Sequence, residues 1–282
     1  MAGHHRRDVD ELARGAFAWV SDDSETNTAV VFVHGFFGDA RGTWLNFPGM
    51  IDSHVTAESF WHTSDLFFLE YPSYDRHIAD NADGLLRFLA HVFPNPPPSL
   101  FRPRSLAPRS KHLVELVLRW EQLQPRVYQH LLLVGHSEGA VVIRQAMIDA
   151  CQRTKGKDTL LGAHLALFAP AHRGVLVTGW VRAVMEVAGA ERLLELSPAF
   201  VEMKDEDFIN GVERNTDALL AKHGLPGLTA RALFGCDEDL VRVQVYSNDV
   251  REECAPNEGH RSVCKPRGGY LTPFAFIERV FA

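Results

Sequence analysis

Ser137 stands between Gly135 and Gly139, at the end of the apolar run Leu131–Val134 in LLLVGHSEGA. A serine hydroxyl is a weak nucleophile near neutral pH. It needs a base to take its proton, a group to orient that base, and donors for the oxyanion that forms. A strand ending at Val134 and a helix beginning at Gly139 would put Ser137 at the apex of a sharp turn, with Oγ projecting from the carboxyl edge of a sheet. The flanking glycines would let neighbouring backbone approach where a Cβ would obstruct it. The Glu138 N–H would then lie at the helix start, where the dipole favours negative charge, which makes it one oxyanion donor.

The other parts are spread along the chain. VVFVHGFFGDARGTW, Val30–Trp44, places His34-Gly35 directly after an apolar run. The amide of Phe36 is the expected second oxyanion donor, with Phe37 beside it on the substrate pocket. His34 is expected to brace this loop by hydrogen bonds. The base is expected late in the chain, and His260 in Asn257-Glu258-Gly259-His260 fits. The orienting acid should fall between serine and histidine, where Asp237, Glu238 and Asp239 are adjacent. Asp239, just before the apolar pair Leu240-Val241, is favoured; Asp237 is second and Glu238 last. His172 has no acid downstream in the required order, so it reads as a brace.

These residues need a frame. Ala29–Val33, Leu66–Glu70, Leu131–Val134, Ala163–Phe168 and Ala230–Phe234 are nearly continuous apolar runs, as strands buried on both faces of a parallel sheet require. Helical periodicity covers Asn81–Val92, Lys111–Leu123 and Gly139–Gln152, and Pro273–Phe281 closes the chain. Alternation of this kind predicts an α/β fold with a mostly parallel, doubly wound sheet. One domain over residues 1–282 is expected. The proline-rich stretch Phe93–Pro108 is a surface loop. Val175–His223 is long for one crossover; it reads as a helical excursion that could form a cap over the pocket. His4-His5-Arg6-Arg7 reads as a frayed end.

Composition agrees with an ordinary soluble protein: 46% apolar and 23% charged residues in 282. The net charge of −7 argues against nucleic acid as a partner, because phosphate contacts need a basic face. No apolar run is long enough for a membrane span, and no secretory leader is evident. A cytoplasmic location with reduced thiols is therefore expected. Of the four cysteines, Cys254 and Cys264 are the pair that a bridge could join. Cys236, Cys254, His260 and Cys264 match no common zinc spacing, so neither metal nor cofactor is expected.

The order Ser137, acid, His260, with His34-Gly35 upstream, resembles the α/β-hydrolase superfamily. Within it the chain resembles the serine esterases related to the lipase-like domain of serine active-site containing proteins. The matching phrases are VFVHGFFGDARGTW, LLLVGHSEGAVVIR, Ala169-Pro170-Ala171-His172-Arg173-Gly174 and GHRSVCKP at Gly259–Pro266. The resemblance implies hydrolysis of esters or lipid esters without a cofactor. It carries over Ser137 and His260 and locates the acid only loosely. Two other readings use the same residues: a catalytically silent scaffold, and an acyltransferase or thioesterase.

Overall fold

The computed structural model describes residues 4–9, 13–23, 25–44, 46–54, 59–101, 126–176 and 196–281. In chain order the strands and α-helices are β1 (His4–Asp8), β2 (Phe17–Ser21), β3 (Thr28–Val33), α1 (Phe47–His54), β4 (Ser64–Leu69), α2 (Ile78–Val92), β5 (His130–His136), α3 (Glu138–Thr154), β6 (His164–Phe168), α4 (Pro198–Lys204), α5 (Glu206–His223), β7 (Arg231–Leu233), β8 (Val250–Arg251) and α6 (Thr272–Phe281).

The strands form one eight-stranded sheet ordered β1-β2-β4-β3-β5-β6-β7-β8. From β4 to β8 every neighbouring pair is parallel. The central strands are apolar along their length because both sheet faces are covered. All six residues of β3 and of β4 are buried. Helix α2 presents Ile78, Ala82, Leu85, Phe88, Leu89 and Val92 at helical spacing to this core. It packs on α3, which carries its own apolar side chains into the same interior. The five strand runs expected from the sequence all appear, with ends shifted by a few residues.

The edges differ from expectation. His4–Asp8 is not a frayed end: it pairs antiparallel with β2, which pairs antiparallel with β4. His4 Nε2 reaches the Ser64 carbonyl at 3.0 Å, and the Arg6 guanidinium lies 4.9 Å from the centre of the Phe17 ring. Backbone pairing and these two contacts hold the strand, and apolar patterning leaves no trace of either. In the proline-rich segment, Pro98–Phe101 forms a single 3-10 turn. The expected helix Lys111–Leu123, residues 102–108 of the proline-rich loop and residues 177–195 of the excursion lie outside the described residues. The excursion's later part is helical, as α4 and α5. Among the described residues no helix is long and apolar enough to cross a membrane.

The cysteines are corrected as well. Cys236 is bonded to Cys254, so a Cys254–Cys264 bridge is excluded, and so is a fully reduced set. Cys264 is buried inside the fold, with Sγ directed at the Thr43 carbonyl. Burial pushes its thiol up to about 12, which makes it inert. The disulfide closes a separation of 18 residues, and a loop of that size constrains the unfolded chain by about 3 kcal/mol. Urea unfolding of the Cys236→Ser/Cys254→Ser double variant, without reductant, should show a stability loss of about that size. Peptide mapping of the unreduced wild type should find free thiols at Cys151 and Cys264.

Candidate active site

Ser137 follows the last residue of β5 and immediately precedes α3. Its backbone has φ 53° and ψ −119°, a conformation that L-residues rarely adopt. The surroundings hold it there. Its N–H donates to the Phe168 carbonyl at the end of β6, and its own carbonyl accepts from Ala140 and Ala171. Gly139 is required by close approach: a Cβ there would run into the carbonyls of Val33 and His34. Gly135 is pressed against Ala140 and the Ile143 side chain in the same way. The turn therefore exists because α3 can start directly against the end of β3.

His260 meets this serine from a loop 123 residues downstream. Its Nε2 lies 2.8 Å from Ser137 Oγ. The other ring nitrogen, Nδ1, is 2.9 Å and 3.0 Å from the two carboxylate oxygens of Glu238. The carboxylate on the imidazole is thus Glu238, the residue ranked last in the sequence. Asp237 and Asp239 are both exposed, while the Glu238 side chain is buried. The reason is local. Glu238 Oε1 also accepts the N–H groups of Leu240 at 2.9 Å and Val241 at 3.1 Å. The carboxylate closes its own turn and is aimed by it at His260. The buried pair Leu240-Val241 was the right landmark, but its amides recruit the side chain two residues before Leu240 instead of the adjacent one.

The acid and base loops are fastened together. Asp237 N–H donates to the Glu258 carbonyl, Cys236 N–H donates to Ala255, and the Cys236–Cys254 disulfide spans the same pair of loops. A Cβ on Gly235 would collide with Glu258 backbone, so that crossing also demands glycine. Glu258 is in turn held by a two-armed ion pair with Arg267.

Two further histidines lie close by. His34 Nδ1–H donates to the Gly35 carbonyl at 2.9 Å, and its Nε2 accepts the Tyr71 N–H at 3.4 Å. The Tyr71 hydroxyl donates to the His34 carbonyl at 2.6 Å. Both ring nitrogens of His34 are therefore engaged in holding the loop. His136 Nε2–H donates to the His260 carbonyl at 2.8 Å and so fixes the backbone that carries the imidazole. Sequence reasoning did not single out His136; its place between Gly135 and Ser137 was the available signal. Burial holds both rings neutral, His34 down at about 4 and His136 well below the usual histidine range. His172 is buried too, stacked on Tyr246 with ring centres 4.5 Å apart and with Nδ1 3.7 Å from Asp249 Oδ2.

The hydroxyl opens into a cavity of about 310 Å³ whose lining includes Phe36, Phe37, Asp39, His260, Arg261 and Lys265. Phe36 is buried, its ring 5.6 Å from that of Phe200 on α4, whereas Phe37 is half exposed at 48% and lies 5.1 Å from the Tyr74 ring. Phe37 has φ 54° and Gly38 N–H closes the turn onto the Gly35 carbonyl at 2.8 Å. The Glu138 amide is the first of α3, so it has no acceptor within the helix. The Glu138 side chain points away into the interior beside Asn81, and burial raises its carboxyl well above the usual range. Burial thus favours the protonated form of Glu138.

Known structures share this frame. The sequence matches no family model and no curated protein. The mature Bacillus licheniformis lipase BlEst2 superposes with a TM-score of 0.56 at 14% identity, over 90% of this chain and 92% of that one. Its propeptide form has the same TM-score at 13% identity, and the chain spans 51% of it. The peroxisomal α/β-hydrolase Lpx1 of Saccharomyces cerevisiae gives 0.50 at 12% identity, over 94% of this chain and 79% of that one. The chain has the α/β-hydrolase fold.

The buried His34 predicts a pH effect on stability. Its folded value of about 4 lies below the 6.5 of a free histidine. Between these values the unfolded chain takes up a proton that the folded chain refuses, so this group's contribution is present above pH 6.5 and is lost as pH falls toward 4. One such group gives a slope of about 1.4 kcal/mol per pH unit. Unfolding free energy measured across that window should fall less steeply with acidification in His34→Asn than in wild type, by about that amount.

Proposed function

We propose that the protein is a serine hydrolase that cleaves carboxylic esters through an acyl-enzyme, with Ser137 as nucleophile, His260 as base and Glu238 as the orienting acid. The observation that carries this reading is the continuous hydrogen-bonded line from Ser137 Oγ through His260 to the Glu238 carboxylate. His260 accepts the Ser137 proton as Oγ attacks the ester carbonyl. Glu238 holds the imidazole in the tautomer with Nδ1–H and stabilises the cation that forms. The amides of Phe36 and Glu138 receive the oxyanion. His260 then protonates the departing alcohol, and Ser137 keeps the acyl group. In the second half, His260 takes a proton from water, the resulting hydroxide attacks the acyl carbonyl, and the serine is released. Esters are favoured over amides because alcohols leave more easily.

In this reading each nearby histidine has its own role. His34 and His136 are neutral and spend ring nitrogens on backbone carbonyls, so His260 alone combines a carboxylate partner with reach to Oγ. Phe36 and Phe37 provide an apolar wall suited to the acyl chain. The BlEst2 neighbour is a lipase, in keeping with an acyl ester as substrate. The Cys236–Cys254 disulfide favours an oxidising compartment over the cytoplasm suggested by the sequence.

A p-nitrophenyl ester series from acetate to palmitate tests the proposal. Wild type should turn over at least one member and be labelled by a fluorophosphonate probe; Ser137→Ala should do neither. Equal rates for the two proteins at every chain length would end the hydrolase reading. The acid is tested separately. Glu238→Gln should lower kcat by about 10³- to 10⁴-fold, while Asp237→Asn and Asp239→Asn, whose side chains face solvent, should stay within a few-fold of wild type.

A further inference from the structure

The turn that delivers His260 to the serine also delivers two cations to the same cavity. Ser262 and Val263 N–H groups donate to the Gly259 carbonyl at 3.2 Å and 3.1 Å, and Lys265 N–H donates to Ser262 at 2.9 Å. This helix-like winding sets positions 261 and 265 one turn apart on one side. It turns Val263 and Cys264 into the core, while Arg261 and Lys265 line the cavity together with Ser137 and His260. Lys265 makes no ion pair within 4 Å among the described residues. Backbone hydrogen bonds from Gly42 and Arg41 chiefly hold Asp39 ionised and burial chiefly opposes protonation of His136; Lys265 adds a small part to each. Asp39, the acidic residue in the lining of this cavity, is committed to its own loop, with Oδ1 accepting the N–H groups of Arg41 at 2.8 Å and Gly42 at 2.6 Å. A chain of net charge −7 thus carries, beside its nucleophile, a wall whose charge runs against its average.

The position of that wall relative to the chemistry says which end of a substrate meets it. The imidazole that takes the serine proton must hand it to the leaving oxygen, so the alcohol lies on the His260 side. Phe36 and Phe37, carried on the loop of His34 rather than that of His260, offer apolar surface for the acyl chain. An ammonium and a guanidinium next to a desolvated reaction centre attract anions and repel cations.

On the hydrolase reading above, we propose that the substrate is an ester whose alcohol carries a negatively charged group close to the scissile bond, held by Lys265 and Arg261. A phosphate or a carboxylate would meet this requirement. Lys265 and Arg261 are specificity residues in this scheme; bond cleavage remains with Ser137, His260 and Glu238.

The test compares esters matched in acyl chain: 1-butyrylglycerol, 1-butyrylglycerol 3-phosphate and butyryloxyacetate. Wild type should favour at least one anionic ester in kcat/KM, mainly through a lower KM, and raising the ionic strength should shrink the preference. Preference for the phosphate ester over the carboxylate ester assigns the site to phosphorylated alcohols; the reverse order assigns it to hydroxy acids. The anionic-to-neutral ratio should fall by about tenfold in Lys265→Gln/Arg261→Gln. Lys265→Arg should restore most of it in the Arg261 background, which separates a charge effect from misfolding. Turnover of 1-butyrylglycerol equal to or better than both anionic esters overturns this proposal and leaves the hydrolase intact. Failure to cleave any of the three, together with no fluorophosphonate labelling of Ser137, overturns both.

Discussion

The backbone of Ser137 is held in a conformation that costs of the order of 1–3 kcal/mol for a residue with a side chain, and the centre of the fold is arranged around keeping it there. Strand β5 supplies the approach and α3 the departure. The end of β6 anchors the serine amide through Phe168, and the segment beyond it caps the serine carbonyl through Ala171. Strand β3 comes so near that residue 139 must be glycine. The register of the sheet makes this convergence possible, since Gly135 is paired with Val33 on one side and with Leu167 on the other. Three adjacent parallel strands therefore end together, and the strained turn sits where their loops meet. Such a place suits chemistry, because amides that end strands or begin helices there lack partners within their own elements.

The electrostatic organisation follows from burial. Four histidines lie in or near the carboxyl edge of the sheet, and three of them are forced to be neutral because the interior refuses their charge. Each of the two nearest the serine is used as a strut: His34 ties its loop to Tyr71, and His136 ties β5 to the backbone of His260. Of these four, His260 has the nearest carboxylate, at 2.9 Å against 3.7 Å for His34 with Glu70 and for His172 with Asp249, and that carboxylate is itself steadied by two backbone amides. A buried carboxylate without such donors would be costly; here the turn at residues 238–241 provides them, so acid and base can share an enclosed site.

Much of this is legible in the sequence. The strands β3, β5 and β6 are apolar on both faces, so their runs could not be mistaken for half-exposed surface strands. Gly135, Ser137 and Gly139 at the junction of strand and helix types marked the turn. His34-Gly35 and Gly259-His260 stood out for the same reason, a polar ring beside a residue that lets backbone turn. The edges were not readable. His4–Asp8 is polar throughout and is a strand only because β2 offers backbone groups to it. The cysteine pairing was not readable either, since Cys236 and Cys254 are joined by loops crossing in space and Cys264 is folded inward beneath Thr43.

The acid shows where that boundary lies. Three consecutive carboxylates at 237–239 are equivalent as text, and their separation from His260 along the chain discriminates nothing. By itself the sequence determined which residue types were available and which short segments would form strand, turn and helix, because those properties depend on near neighbours. Only the tertiary structure decided that residue 238 faces inward while 237 and 239 face water. That choice depends on the amides of Leu240 and Val241 and on a histidine 22 residues further on, all brought to one point by the packing of two loops at the edge of the sheet.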